Sequence, residues 1–289
     1  MIRTSLFIRP RLLMAVAMAA VTGLLSCTQE PDKVLPAPKS AEPVVNEEAR
    51  DYSQYTELAW SDEFTGGQLD DTKWTYEVQD TWFNNELQAT TNSPKNLFLA
   101  GGVLNIQAQK EVYNGKNYTS ARIITRGKKD FGFGRLDVRA RLPKGKGIWP
   151  AIWMLGSNDQ TVPWPACGEI DIMELRGSTP NVNISTVHFG TVPADRKQIG
   201  TTKALDSGDF SQAYHTFTFI RSKDMMRWYL DGVEYFKLTP AQVSPYPFNN
   251  PFYVILNVAV GGDFDGNPDA STLFPQRMEV EYVKFWNYK

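Results

Sequence analysis

From residue 57 onward, apolar and polar residues alternate with a period of two, and the helical period is nearly absent. In Arg135-Leu-Asp-Val-Arg-Ala-Arg-Leu142, Leu136, Val138, Ala140 and Leu142 fall on one face, with Arg135, Asp137, Arg139 and Arg141 on the other. That is the pattern of a half-buried antiparallel strand. Further strands are predicted over 103–109, 169–175, 182–189, 215–221, 252–260 and 278–286. Val254-Ile-Leu-Asn-Val-Ala-Val260 is apolar on both parities, so this strand is expected to be covered on both faces. Two dipeptides that accept positive φ mark tight hairpins. Asn114-Gly115 separates 111–113 from a strand-like 117–125, and Asp231-Gly232 joins 226–230 to 233–236. Beyond a short turn near 240–243 no helix is predicted, and no repeat of about 20–50 residues is present. So many short strands in about 230 residues predict an all-β domain, a two-sheet antiparallel β-sandwich of jelly-roll type.

The first 56 residues break this pattern. Residues 1–11 carry Arg3, Arg9 and Arg11 without an acid, and 12–25 form an apolar run of signal-peptide length, too short to span a bilayer comfortably. Leu24-Leu25-Ser26-Cys27 resembles the bacterial lipoprotein signal, in which the cysteine becomes the lipidated first residue; an ordinary secretory signal with a chance cysteine is the alternative. The expected organisation is a signal peptide over 1–26, lipidated Cys27 and a tether over 27–56, and a folded domain over 57–289. Pro31, Pro36, Pro38 and Pro43, interleaved with charged residues, leave the tether too little apolar surface to offset its ordering entropy. This predicts an exported protein anchored to a membrane by lipid, at the outer membrane or cell surface. Net charge is −2 with signs mixed along the chain, which argues against a nucleic-acid partner. With Cys27 lipidated, Cys167 has no partner for an internal disulfide, and two isolated histidines with one spare cysteine cannot build a zinc site.

The candidate chemistry lies in Gly168-Glu-Ile-Asp-Ile-Met-Glu-Leu175. On a regular strand Glu169 and Asp171 share a face while Ile170 and Ile172 point into a core. Glu174, five positions from Glu169, would then face the core, where an unpaired carboxylate is very costly. One extra residue in a β-bulge, most naturally Met173, restores the parity and brings all three acids to one face. The two glutamates would stand about four strand steps apart, roughly 13 Å between Cα atoms. Their side chains can close much of that gap, but the spacing does not separate retaining from inverting geometry. A solvated strand face that happens to carry three acids is the bland alternative.

Trp164-Pro-Ala-Cys-Gly-Glu-Ile-Asp-Ile-Met-Glu174 resembles the active-site strand of glycoside hydrolase family 16, in its laminarinase-like branch. Phe133-Gly-Arg-Leu-Asp-Val-Arg-Ala-Arg-Leu-Pro143, Gly147-Ile-Trp-Pro-Ala-Ile-Trp-Met-Leu155, Thr186-Val-His-Phe-Gly190, Leu256-Asn-Val-Ala-Val-Gly-Gly262 and Asn84-Asn-Glu-Leu-Gln88 resemble further family blocks, in family order. The resemblance implies a jelly roll with a concave substrate cleft and a retaining, cofactor-free mechanism. Glu169 is then the nucleophile, Glu174 the acid/base, and Asp171 the residue between them that hydrogen-bonds the nucleophile. The extra Met173 points away from lichenases and xyloglucan-active enzymes, toward β-1,3-glucanases or toward agarases and carrageenases, and Trp164-Pro-Ala-Cys-Gly168 favours the glucanases. The expected partner is a β-glucan polysaccharide of laminarin type. Another β-linked polysaccharide (mixed-linkage glucan, agarose or carrageenan) and a non-catalytic carbohydrate-binding jelly roll are the alternatives.

The resemblance also places Trp149, Trp153 and Trp164 beside the cleft, where an indole can stack on the apolar face of a sugar ring. Asn84, Glu86 and Arg122 are expected to bond sugar hydroxyls, and His188 to lie close to the acids. Trp60, Trp74, Trp228 and Trp286 read as core, and His215 as structural. The family often carries a structural calcium on the convex side; Glu63 and Glu281 stand at the candidate positions, but the second is more usually Asp, which leaves the site open.

Overall fold

Alternation becomes strand almost everywhere it occurs. The computed structural model describes residues 46–289, within a unit spanning Val45–Lys289. Eight strands form the first sheet: β1 (Tyr55–Asp62), β4 (Leu97–Ala100), β5 (Val103–Ala108), β8 (Gly134–Arg141), β13 (His215–Ser222), β14 (Met225–Leu230), β15 (Val233–Leu238) and β17 (Gln276–Tyr288). Seven form the second: β2 (Thr75–Tyr76), β7 (Arg122–Ile124), β9 (Ile148–Gly156), β10 (Glu169–Leu175), β11 (Val182–Phe189), β12 (Lys197–Ala204) and β16 (Phe252–Val260). The first sheet runs β15-β14-β13-β8-β17-β5-β4, with β1 also on β17, and the second runs β12-β11-β10-β9-β16-β7-β2. A small parallel pair, β3 (Gln88–Thr90) and β6 (Tyr118–Ser120), stands apart. The helical segments among the described residues are short 3-10 turns.

The core lies between the two sheets. Leu136, Val138 and Ala140 of β8 meet a cluster that includes Ile170, Ile172 and Met173 of β10 and Val254 and Leu256 of β16. Burying each large apolar side chain contributes about 1.5–3 kcal/mol, and the central pairings β8–β17 and β9–β16 join residues far apart in the chain. In β16 only Asn257 escapes full burial, as its two apolar parities predict.

Three expectations need correction. The polar face of β8 is not simply solvated. Asp137 is buried, accepting hydrogen bonds from Arg135 of its own strand and from Thr218 Oγ1 and Trp286 Nε1 of the strands that flank it. Asn114-Gly115 does make the turn, with φ of 46° and 78°, but it closes two isolated antiparallel bridges, Tyr113–Lys116 and Gln109–Thr119, and no continuous ladder. Beyond it, β6 pairs in parallel with β3 instead of completing a hairpin ladder. Asp231-Gly232, by contrast, joins β14 and β15 in a ladder with one irregularity, between Trp228 and Tyr229.

The third correction concerns where the domain begins. It was expected at residue 57, yet Asp51 caps a 3-10 turn over Tyr52–Gln54, and Tyr55 is buried and pairs with Tyr288. Arg50 lies 4.4 Å over the Tyr288 ring. Tyr52 and Tyr55 give this stretch the apolar surface that the proline-rich residues before it lack. The signal peptide, lipidated Cys27 and tether that the sequence predicts lie outside the described residues, apart from the end of the tether stretch.

Candidate active site

The acids stand on β10, and their common face depends on one irregularity. Glu169 and Glu174 are opposite Leu155 and Ala151 on β9, and opposite His188 and Ile184 on β11. Residues five apart on their own strand are therefore matched to residues four apart on both neighbours. A β-bulge between Asp171 and Glu174 absorbs the difference. Its mark is that Ile172 and Met173, consecutive in sequence, both enter the core. The bulge consists of this pair, with Met173 taking the inward place that regular alternation would assign to Glu174.

A bulge leaves carbonyls outside the ladder, and buried carbonyls need partners. Two side chains supply them. Ser185 Oγ donates to Ile172 O at 2.8 Å, and Trp228 Nε1, reaching from the other sheet, donates to Asp171 O at 3.1 Å. Gly168, at φ +83°, fixes the entry to the strand. A Cβ there would lie 2.9 Å from Pro247 Cγ and 3.1 Å from Phe252 Cζ. Ser185→Ala is expected to cost about 1–3 kcal/mol by orphaning the Ile172 carbonyl. Thermal melts would show this, accompanied by a drop in kcat as the bulge loosens.

Side-chain atoms of Glu169, Asp171 and His188 lie within 4.8 Å of one another. His188 Nε2 is 3.4 Å from Asp171 Oδ2 and 3.6 Å from Glu169 Oε1. Glu174 Oε1 accepts from Trp149 Nε1 at 3.0 Å. Burial, reinforced by the Asp171 charge, pushes Glu169 up to about 7, while His188, Trp164 and Arg122 pull it back. Burial alone pushes Asp171 up to about 8. Glu174 is raised well above the usual carboxylate range, first by burial and then by two like charges, Asp171 and Glu169. Environments that separate two carboxyl groups in this way set up one as acid and the other as base or nucleophile.

Residues 70–284 match the family model described as Glycosyl hydrolases family 16. The chain belongs to glycosyl hydrolase family 16. It is 38% identical over 256 residues to glucan endo-1,3-beta-glucosidase A1 of Niallia circulans, covering 79% of this chain but 37% of that longer protein. It is 40% identical over 251 residues to the glucan endo-1,3-beta-glucosidase of Cryptopygus antarcticus, covering 80% and 92% of the two chains. Among solved structures, the catalytic domain of an endo-1,3-beta-glucanase (laminarinase) from Thermotoga petrophila RKU-1 superposes with a TM-score of 0.76 at 40% identity, over 81% of this chain and 98% of that one. The chain is thus a glycoside hydrolase, and the family acts without a cofactor.

Around the family 16 acids, the expected sugar-contacting residues are arranged less openly than a sequence can show. Trp149 stacks one face on Phe264, with centroids 4.6 Å apart. Trp153 donates from Nε1 to Asn257 Oδ1 and carries the Arg122 guanidinium 4.7 Å over its ring, so it is not a free platform. Arg122 is in turn stacked on Trp82 at 4.4 Å and paired through Nε with Glu77. Its planar, delocalised cation fits between two indoles better than out in solvent. Trp164 stands beside Glu169 and near His188. Glu86 accepts from Gln88 Nε2 and is raised by burial, while exposed Asn84, at φ 57°, is a turn residue whose side chain reaches Glu86. His215 bonds Asp231, in keeping with a structural role. Trp82, Phe264, Glu77 and Ser185 went unread, because no periodicity marks a residue that acts by touching another from a distant loop or strand.

Next to the acids, a depression of about 310 Å³ is lined by Arg176, Ile184, Thr186, Gln198, Gly200 and neighbouring threonines. Gly200 lies close against β11, where a Cβ would come within 2.7 Å of Ser185 O. Of the two residues considered for a structural calcium, Glu63 pairs with Lys284 and Glu281 with Arg139.

Proposed function

We propose that this domain is an endo-acting, retaining β-1,3-glucanase with Glu169 as nucleophile and Glu174 as acid/base. The observation that carries the reading is the bulge at Ile172 and Met173, which brings both glutamates to one face in environments that hold their protons unequally. Glu174, raised well above the usual carboxylate range by burial and two like charges, protonates the glycosidic oxygen as ionised Glu169 attacks the anomeric carbon. The leaving sugar departs with that proton, and a glycosyl ester forms on Glu169. Esterification removes one of the two like charges that raise Glu174, which can then accept a proton from the incoming water. Water adds to the anomeric carbon, Glu169 is released as carboxylate, and the β configuration is restored. Asp171, between the two, tunes both. The relatives' β-1,3-glucan substrates and the Trp164-Pro-Ala-Cys-Gly168 lead-in support laminarin as the substrate type.

Following laminarin hydrolysis by NMR tests this directly. First-formed β-anomers are expected; first-formed α-anomers would rule out retention. Silence on laminarin with turnover of agarose, carrageenan or mixed-linkage glucan would reassign the substrate, and binding without any released sugar would leave only a binding module.

Asp171→Asn removes a negative charge that raises both glutamates. The rate needs Glu169 ionised and Glu174 protonated, so kcat/KM is expected to be bell-shaped, with Glu169 on the acidic limb and Glu174 on the alkaline one. In the variant the alkaline limb, where Asp171 would be ionised, moves to lower pH and kcat falls by about 10²-fold. An alkaline limb that stays in place would show that Asp171 does not set this charge.

We infer further that the chain is exported and held at a membrane through Cys27, on the strength of the basic start, the apolar run and the cysteine that ends it. Cys27→Ser is expected to move the protein from the membrane fraction to the soluble one. Unchanged fractionation would refute the anchor.

A further inference from the structure

His188 presents its two ring nitrogens to opposite kinds of group. Nε2 faces the acids, 3.4 Å from Asp171 Oδ2 and 3.6 Å from Glu169 Oε1. Nδ1 faces Arg196, whose Nη1 lies 3.2 Å away. A guanidinium has donors only, so the nitrogen it bonds must offer a lone pair. With Nδ1 as acceptor, the ring is neutral and its single proton sits on Nε2.

We propose that Arg196 is a positioning residue that holds His188 in the Nε2–H tautomer, so that the ring donates toward the Glu169–Asp171 pair. The proposal rests on the reading of those acids as catalytic. Arg196 is exposed and contributes nothing to the core. It is aimed from two sides. Nη1 also donates to Gln198 Oε1 at 2.9 Å, and the guanidinium lies 5.9 Å over Trp164, the indole beside Glu169. The chain is bent into place just before it, where the Asp195 carboxylate accepts the backbone N–H groups of Thr191 and Val192.

The charges facing the ring make this hold necessary. On one side of the ring stand the β10 acids Glu169 and Asp171, with Glu174 beyond them; on the other stands the Arg196 cation, with neutral Gln198 beside it. A cationic ring would favour the ionised form of each acid, and Glu174 would then give up the proton that the first step needs. A neutral Nε2–H instead aims a donor at the pair without a full charge. Orienting partners of this kind decide which nitrogen of a histidine carries the proton.

The protein has only two histidines, so their nitrogens can be read individually in long-range ¹H–¹⁵N spectra of the isotope-labelled full chain. His215 is an internal contrast, because its Nδ1 lies 2.7 Å from Asp231 Oδ2 and must carry a proton to bond it. His188 is expected to show a protonated Nε2 and a bare Nδ1. In Arg196→Met its signals move toward mixed or doubly protonated forms. On laminarin, kcat falls by about 10-fold with KM unchanged, and both pH limbs shift downward. Arg196→Lys, which restores a donor, recovers both readouts. A protonated Nδ1 on wild-type His188, or Arg196→Met with unmoved His188 signals, would overturn the proposal. The spectra do not depend on turnover. A wild type inert on every glucan would defeat the functional reading while the tautomer is still decided on its own.

Discussion

Glu169→Gln is expected to lose at least about 10⁴-fold in kcat/KM on laminarin and yet melt several degrees above the wild type at pH 8. The loss follows from removing a covalent nucleophile, which takes away a whole step and not merely one contact. The gain follows from linkage. The folded-state pKa of Glu169 is raised from 4.5 to about 7, mainly by burial. A raised acid binds its proton more tightly folded than unfolded. Its contribution to stability is therefore fully present below the unfolded value and is lost as pH climbs through the folded one. The shift corresponds to on the order of 3 kcal/mol, and a domain of this size gains about 2–4 °C per kcal/mol. Glutamine is neutral at every pH and escapes the loss. Paired melts should show the difference opening between pH 4.5 and 8 and vanishing in acid. A variant no more stable than wild type at pH 8 would mean that Glu169 is not held against its charge. Activity and stability pull in opposite directions at this position.

Glu174→Ala tests the other half of the mechanism, with an expected loss of about 10²–10⁴-fold on polysaccharide. The loss should depend on the leaving group. A glucan hydroxyl departs poorly without a proton, whereas an activated aryl group needs none, so glycosylation from an aryl β-laminaribioside should remain fast. Deglycosylation then stalls for want of a base. Azide needs no base, and it should restore turnover and yield the β-glycosyl azide. The same anion added to Glu169→Ala should give the α-product, because it then attacks in the nucleophile's place. The reverse pattern of products would exchange the two roles.

These expectations draw unequally on chain and fold. The parity argument for Glu174 was available from eight consecutive residues, because an acid at an odd offset in an apolar strand has either a bulge or a large penalty. The bulge is there, shared between Ile172 and Met173. The groups that stabilise it, Ser185 from the next strand and Trp228 from the opposite sheet, carry no mark in the local sequence. Trp153 shows the same limit. Its position beside the cleft was legible, but the Arg122 cation covering its face was not. The domain starts earlier than the residue pattern predicts for a related reason, as two tyrosines among charged residues look like tether until a sheet face is there to receive them.

Side-chain period, turn chemistry and the spacing of three acids are properties of neighbours along the chain. They determined by themselves that this protein is a β-sandwich with one acidic strand. The unequal holding of protons by those acids, the stacking of Arg122 between two indoles, and the opposed partners of His188 were decided only by the tertiary structure. Each depends on burial and on atoms brought together from remote strands and loops, and desolvation and charge interactions act through space.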